Sequence, residues 1–537
     1  MRKIKLAFIS LLSVPLAICA QPKLVVGVVV DQMRWDYLYR YQSRYSELGF
    51  KRILKEGFTC QNTYINYVPT VTAIGHSSIY TGSVPAIHGI TGNTFIIQET
   101  GAKMYCAQDD SVQTVGAPGV DGKMSPKNLL VSTITDQLRL ATNFRSKVIG
   151  ISLKDRGAIL PAGHFANAAY WMDEESGNWI SSTYYMNKLP DWVQAFNDKK
   201  LVQKYLDQDW NTLYPVSTYQ QSLADGNSYE GKFRGDSINK FPVPTSKLRA
   251  RLGFGLIETT PYGNTLTLDL ARQAIIQEQL GRGKNTDFLA ISLSSTDYVG
   301  HQFAPNSIKT EDTYLRLDKD LGAFLQFLDQ QLGKGNYTLF LTADHGAAHN
   351  PQFFTDQKGN GGYFDSKKAL DGLNDTLLKQ FGFKDLTISL TNNQVHLNNP
   401  LIKAKKLPVD AIRKAIVQYM RDLDGVSMAV DMDQLGAVPA LIRERIVNGY
   451  NYKRSGAVQY ILEAQIYSGS ARATGTTHGS WYPYDAHIPL LWMGWGVRAG
   501  KTNRVTNMTD IAPTVAALLN IEEPNGNIGA PITELMK

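Results

Sequence analysis

KLVVGVVVD, residues 23–31, is a short β-branched run that ends on an acid. It is too short and too β-branched to read as a helix, and apolar enough to read as a strand buried on both faces, as in a parallel sheet. Three later stretches have the same form. KVIGIS at 147–152 runs into Leu153, Lys154, Asp155 and Arg156; DFLAIS at 287–292 runs into Ser294, Ser295, Thr296 and Asp297; YTLFLT at 337–342 runs into Ala343, Asp344 and His345. Helical periodicity lies between them, most plainly over Glu311–Leu332 with Leu315, Leu317, Leu321, Phe324, Leu325 and Leu328. The alternation predicts an α/β fold, a mostly parallel sheet flanked by helices on both faces. Ligands of such sheets sit beyond the carboxyl ends of the strands, and that is where the polar residues fall.

The rest of the chain narrows the class. Its 537 residues are 43% hydrophobic and 19% charged, which excludes a disordered chain, a collagen-like chain and a small disulfide scaffold. Three cysteines are too few for a Cys-based zinc finger or an iron–sulfur cluster. Residues 1–20, MRKIKLAFISLLSVPLAICA, have the cationic start, apolar centre and small final residue of a secretory signal, so the mature protein is expected to be exported to the periplasm. Lipidation at Cys19 is the competing reading, disfavoured by the bulky Ile18 before it. Taking the signal's three cations off the net charge of +7 leaves +4, too little over so long a chain to argue for a nucleic-acid partner. No later segment reaches about 18 uninterrupted apolar residues, so no stable membrane insertion is expected. In an oxidising compartment Cys60 and Cys106 are expected to pair, the alternative being two buried thiols. Residues 21–537 read as one α/β domain with two insertions: one near 163–250, rich in Tyr, Trp, Asn and Asp, and one near 350–470, opening on a Gly-rich turn.

Several short motifs carry chemistry at the strand ends. Asp297 and His301 (DYVGH) share a face if they lie on one helical turn, where they suit a metal, though the pair also fits a solvated loop. Asp344 and His345 (TADHG) put an acid and an imidazole side by side at the end of a buried strand, costly to bury without a partner; a strand-end cap is the plainer reading. Asp31 is a third strand-end acid, and His478 sits in a loop of small residues, TGTTHGSW. Three Asp and three His without Cys suit zinc, and six ligands are enough for two Zn²⁺ ions, which can clamp the attacking and leaving oxygens of an in-line displacement. In NYVPTVTAIGHSSIYTG, residues 66–82, Thr70 or Thr72 opens a helix expected over Thr72–Tyr80. A hydroxyl there meets the positive end of the helix dipole, as a nucleophile or as an ordinary N-cap. Asn93 (TGNTF) offers an amide to an oxyanion or simply makes a turn. Lys154 and Arg156, two apart, point the same way in extended chain and suit a phosphoryl dianion; two solvated surface charges are the alternative.

Taken in order, VVVDQMR, PTVTAIGH, HGITGN, SLKDRGA, STDYVGH, TADHG and TTHGSW resemble the alkaline phosphatase superfamily, most closely its exported PafA-type members with a threonine nucleophile. The likeness runs from Asp31 to TNMTDIAPTVAALLNI near Asp510. It implies that Asp297, His301 and His478 hold one zinc and that Asp31, Asp344 and His345 hold the other, which also meets Thr72, the nucleophile. It also implies that Asn93, Lys154 and Arg156 bind the phosphoryl oxygens, and that His76 packs behind Thr72 while His88 belongs to a turn. Two dications and the Lys–Arg pair balance three carboxylates, a Thr72 alkoxide and a monoester dianion, whereas a diester leaves one positive charge over. The expectation is therefore a phosphate monoesterase acting on small substrates. The rivals are a nucleotide pyrophosphatase/phosphodiesterase of the same superfamily and a non-catalytic zinc-binding protein.

Overall fold

A computed structural model describes residues 21–235, 239–469 and 474–537. The signal expected over 1–20, with Cys19, lies outside the described residues. A ten-stranded sheet runs through the molecule. Its strands in chain order are β1 (Leu24–Val30), β2 (Phe58–Tyr64), β3 (Thr114–Val115), β4 (Val148–Ser152), β5 (Ala168–Met172), β6 (Trp179–Ser182), β7 (Asp287–Leu293), β8 (Tyr337–Thr342), β9 (His487–Gly494) and β10 (Gly500–Asn507). The spatial order is β10-β2-β9-β8-β1-β7-β4-β5-β6-β3. The five central strands, β8 to β5, are parallel throughout. β9 runs against both of its neighbours, and β5-β6-β3 closes the other edge antiparallel. The fold is thus α/β with a mostly parallel core, as the four apolar runs imply.

Register sets the site. Val29 of β1 lies level with Thr342 on one side and Ser292 on the other, and Ser292 lies level with Ser152. The residues just past these strands, Asp31, Leu153, Ser294 and Ala343, therefore emerge along one line. All seven residues of β1 are buried, as a central strand covered on both faces must be. Helix α1 (Thr72–Thr81) has every residue buried and ends on Gly82 in the left-handed region, φ 62°. Helices α2 (Asp155–Ala162), α3 (Ser295–Phe303) and α4 (Ile308–Leu332) follow β4 and β7. The Ser307 hydroxyl accepts from Thr310 N at the start of α4, and the predicted apolar stripe of that helix is buried in the main core.

The two unusual segments behave differently. Residues 168–182 extend the sheet as β5 and β6 rather than sitting over it. Their Trp and Tyr residues hide the usual aliphatic signature, yet Tyr170, Trp171 and Trp179 are each at most 2% exposed. Farther on, Thr387–Ser389, Gln394–Leu397, Val458–Leu462 and Val426–Asp431 form a separate four-stranded sheet. The helices Ser366–Phe381 and Val409–Arg421 pack on it around their own apolar cluster, which includes Leu373, Leu377, Val395, Ile412, Ile416 and Tyr460. The expected disulfide is not formed: Cys60 and Cys106 are both free and buried. Cys60 sits inside the main sheet between β9 and β10, and Cys106 packs with Phe95 and Leu129 in another cluster. Burial pushes both thiols up to about 12.

Gly75 brings α1 against the end of β8. A Cβ there would meet the backbone oxygen of Asp344 at 2.5 Å and its Cβ at 2.6 Å. Gly75→Ala is expected to cost about 1–3 kcal/mol of stability, the usual range for overpacking a close contact, read from urea unfolding.

Candidate active site

Three carboxylates and three imidazoles converge past the carboxyl ends of β1, β7 and β8. Asp31 follows β1 and Asp344 and His345 follow β8; Asp297 and His301 stand four apart in α3, and His478 enters from the loop before β9. His301 Nε2 lies 3.1 Å from Asp297 Oδ1, and His478 Nε2 3.7 Å from the same oxygen. His345 Nε2 lies 3.6 Å from Asp31 Oδ1 and 3.5 Å from Asp344 Oδ2. The rings of His345 and His478 stack at 3.5 Å. Ligand atoms of Asp31, Asp344 and His345 cluster within 4.8 Å of one another, as do those of Asp297, His345 and His478. His345 thus faces both groups, while His301 is held against Asp297 alone.

The donor set fits cations on two independent observations. Each imidazole gives its Nδ1–H to a backbone carbonyl: His301 to Thr476 at 2.8 Å, His345 to Gly346 at 2.9 Å and His478 to Thr70 at 2.7 Å. A carbonyl only accepts, so each Nδ1 carries its hydrogen, and in the neutral ring Nε2 is the lone pair turned inward, the tautomer a metal needs. Asp31 Oδ1 and Asp344 Oδ2, both fully buried, have no hydrogen-bond donor. Such oxygens are expensive to bury unless a positive charge meets them.

The electrostatics agree. Burial, together with the nearby Asp297 and Asp344, holds the Asp31 carboxyl well above its ordinary range despite Lys154. Burial also works to raise Asp297, but His301 and Lys154 outweigh it and hold that carboxyl well below its ordinary range. His345 and His76 do the same for Asp344. Burial and the neighbouring His345 and His301 rings push His478 far down, keeping it neutral.

Thr72 is the first residue of α1. Val71 before it is extended, and the Thr72 hydroxyl caps nothing. Instead Oγ1 lies 3.5 Å from His345 Nε2, while Thr70 Oγ1 donates to the Ser480 carbonyl. The two threonines are thereby separated, with Thr72 facing the cluster. His76 sits one turn on, its Nδ1 2.9 Å from the Thr72 carbonyl and its Nε2 2.8 Å from Ser292 Oγ. His88 pairs with Ser78 Oγ, and burial takes it down to about 3. Asn93 accepts from Ala73 N at 2.9 Å through Oδ1, which directs its NH₂ end away from the helix.

Lys154 and Arg156 do not share an extended segment. β4 ends at Ser152 and Lys154 is already the N-cap of α2, so the two side chains diverge. Lys154 Nζ bridges Asp31 Oδ2 at 2.7 Å and Asp297 Oδ2 at 2.5 Å. Arg156 donates to Tyr105 Oη at 3.0 Å, and its buried Nε has no acceptor. Both still line one cavity of about 400 Å³, which Glu174, Glu258 and Tyr298 also line.

Sequence reasoning missed Gln32. Its backbone lies in the left-handed region, φ 62°. Its N–H donates to Asp344 Oδ1 at 3.1 Å and its Nε2 to Asp297 Oδ1 at 2.6 Å, so one residue ties the two carboxylate groups together. Gly300 makes room for it, since a Cβ there would fall 2.0 Å from Gln32 Oε1. The only signal was position: a polar residue directly after a strand-end acid.

Comparison with known proteins gives a consistent neighbourhood. Residues 25–481 match the family described as type I phosphodiesterase/nucleotide pyrophosphatase. The chain is 63% identical to a Myroides odoratus protein named calcium-transporting ATPase, over 96% of this chain and 95% of that one. It is 54% identical to alkaline phosphatase PhoV of Synechococcus elongatus, over 96% and 94%. The crystal structure of wild-type alkaline phosphatase PafA superposes with a TM-score of 0.94 at 48% identity, covering 96% of this chain and 99% of that one.

Glu258, 5% exposed, offers a test of this electrostatic field. Burial and Glu174 lift its carboxyl from the ordinary 4.5 to about 8, against the opposing pull of Lys154, Arg156 and a hydrogen bond from Tyr298. Between those values the group is protonated in the fold and ionised when unfolded, so its contribution to stability is full below 4.5 and lost as pH rises to about 8. The melting temperature of Glu258→Gln should therefore fall less than that of the parent protein across that window.

Proposed function

The chain belongs to the type I phosphodiesterase/nucleotide pyrophosphatase family, and from that premise we propose that it is an exported, zinc-dependent alkaline phosphatase that cleaves phosphate monoesters through a phosphothreonine intermediate. One observation carries the reading: three imidazoles, each fixed by a backbone carbonyl, turn Nε2 toward three buried carboxylates beside an uncapped threonine hydroxyl. Asp297, His301 and His478 would hold one zinc, and Asp31, Asp344 and His345 the other, with His345 near enough to both groups to serve either. Bound there, two dications supply Lewis acidity that lowers the pKa of an adjacent hydroxyl and neutralises charge on a departing oxygen.

The side chains do the rest. α1 fixes Thr72 at its N-terminus, where the helix dipole favours negative charge on Oγ1. His76 holds the Thr72 carbonyl from behind and so limits how the nucleophile can swing. After losing its proton to solvent, Thr72 Oγ1 attacks phosphorus in line. The bond from phosphorus to the ester oxygen breaks, and the alcohol leaves after taking a proton from water. Water then cleaves phosphothreonine by a second in-line displacement, so configuration at phosphorus is retained overall. Asn93 and Arg156 donate to the phosphoryl oxygens. Lys154 adds a positive charge at the midpoint of the carboxylate cluster, which favours a dianionic monoester over a monoanionic diester. The ATPase in the name of the Myroides relative is also a phosphoryl-transfer activity, and the terminal phosphate of ATP presents the same charged group.

Turnover of p-nitrophenyl phosphate and of its methyl diester, measured side by side on zinc-loaded protein, tests the reading. The monoester should be strongly preferred. Replacing Lys154 and Arg156 by Ala should lower monoester kcat/KM by about a hundredfold or more, and diester turnover far less. Thr72→Ala should abolish turnover while elemental analysis still finds two zinc ions per chain. A diester preference would move the protein to the phosphodiesterases of its family, and inversion at phosphorus would end the covalent scheme.

A further inference from the structure

Five of the six proposed ligands stand in a helix or just past a strand end, where the fold holds their backbone. His478 does not, because residues 475–482 belong to no helix or strand. Yet this stretch serves both imidazoles proposed beside Asp297. The Thr476 carbonyl accepts from His301 Nδ1 at 2.8 Å, and the other imidazole is His478 itself. A ligand loop without regular structure has to be fixed from outside, and two buried residues do so.

Thr70 grips the loop on one side. Its carbonyl accepts from His478 Nδ1 at 2.7 Å, and its Oγ1 donates to the Ser480 carbonyl at 2.8 Å. Thr70 is fully buried and lies two residues before Thr72, so these bonds tie the ligand to the segment that carries the nucleophile. Asp485 grips the loop on the other side. Its Oδ2 accepts from Gly479 N at 3.1 Å, from Ser480 N at 2.8 Å and from Ser480 Oγ at 2.6 Å. Successive backbone N–H groups aimed at one anionic oxygen make a nest, and Gly479, at φ 124°, supplies the turn it needs. The carboxylate is 1% exposed, so these donors are what make its burial tolerable. The backbone of Asp485 is anchored in turn. Its carbonyl accepts from Gly346 N at 2.7 Å, and the Gly346 carbonyl accepts from His345 Nδ1 at 2.9 Å. Asp485 thus lies between the two ligand loops, but among the described residues its carboxylate bonds to the His478 loop alone.

We propose that Asp485 and Thr70 are positioning residues that close the zinc group of Asp297, His301 and His478. Together they hold the loop in the conformation that turns His478 Nε2 inward, and neither touches metal or substrate. This rests on the zinc-phosphatase reading. Because the Asp485 side chain acts on one ligand loop only, its loss is felt at one of the two cations.

Zinc stoichiometry and affinity, titrated against a chromophoric chelator, test this apart from turnover. The parent protein should bind two zinc ions. Asp485→Ala should weaken one of them by about 10–100-fold, the range for groups that orient a ligand without touching the metal. It should retain the other, as His478→Ala should. Asp485→Asn keeps an accepting oxygen for the loop and should recover part of the loss. Thr70→Val removes only the bond to Ser480 and should weaken the same ion. Combined with Asp485→Asn, its effect should be less than additive, since both changes release one loop. Two ions held by Asp485→Ala with parent affinity overturn the proposal. So does an equal weakening of both ions, which would mark a general loosening of the fold. Should Asp485→Ala not fold, Asp485→Asn and Thr70→Val decide by the same criteria. A parent protein that binds no zinc instead overturns the zinc-phosphatase reading, and the proposal falls with it.

Discussion

Three carboxylates buried within reach of one another are the constraint around which the rest of the molecule is arranged. Asp31, Asp297 and Asp344 cannot all stay ionised in a low-dielectric interior unless positive charge lies among them. Lys154 supplies one such charge, touching Asp31 and Asp297 at once, and is itself only 4% exposed. Gln32 adds a backbone donor to Asp344 and a side-chain donor to Asp297. Even so, Asp31 Oδ1 and Asp344 Oδ2 are left without donors. The protein therefore carries a deficit of positive charge at one place, and the three imidazoles turn their Nε2 atoms toward it. A deficit of this kind suits bound cations.

Much of this was legible in the sequence because it depends on strand ends. Asp31 and Asp344–His345 close near-continuous apolar runs, and parallel register puts such residues on one line whatever the loops do. Asp297 and His301 follow from helical spacing. What sequence could not supply was geometry that depends on a turn. Lys154 and Arg156 looked parallel because nothing in SLKDRGA announces that the helix starts at Asp155. Gln32 was invisible because its role comes from a positive φ that an ordinary glutamine does not signal. The disulfide failed for a similar reason: compartment chemistry favours pairing, but Cys60 is built into a strand of the main sheet and Cys106 into a separate cluster. The start of the aromatic insertion, residues 168–182, continues the sheet, because buried Trp and Tyr can fill strand positions that aliphatic residues usually hold.

The small sheet gives the molecule a second apolar cluster beside the main core. The parallel core fixes the reacting atoms and leaves little freedom there, since α1 is wholly buried and Gly75 lies in close contact with Asp344. The small sheet meets the rest of the fold through contacts such as the Asn392 amide on the Thr94 carbonyl.

The order of the ligands along the chain has a consequence for how the protein is made. The first, Asp31, leaves the ribosome early; the last, His478, comes some sixty residues before the end. Most of the α/β core can form before the final imidazole exists, yet the set of ligands stays open until it arrives. The group of Asp31, Asp344 and His345 is thus complete in the chain well before the group that needs His478. Closing the second group is the later event, and it falls to a residue that enters from a loop rather than from a strand end.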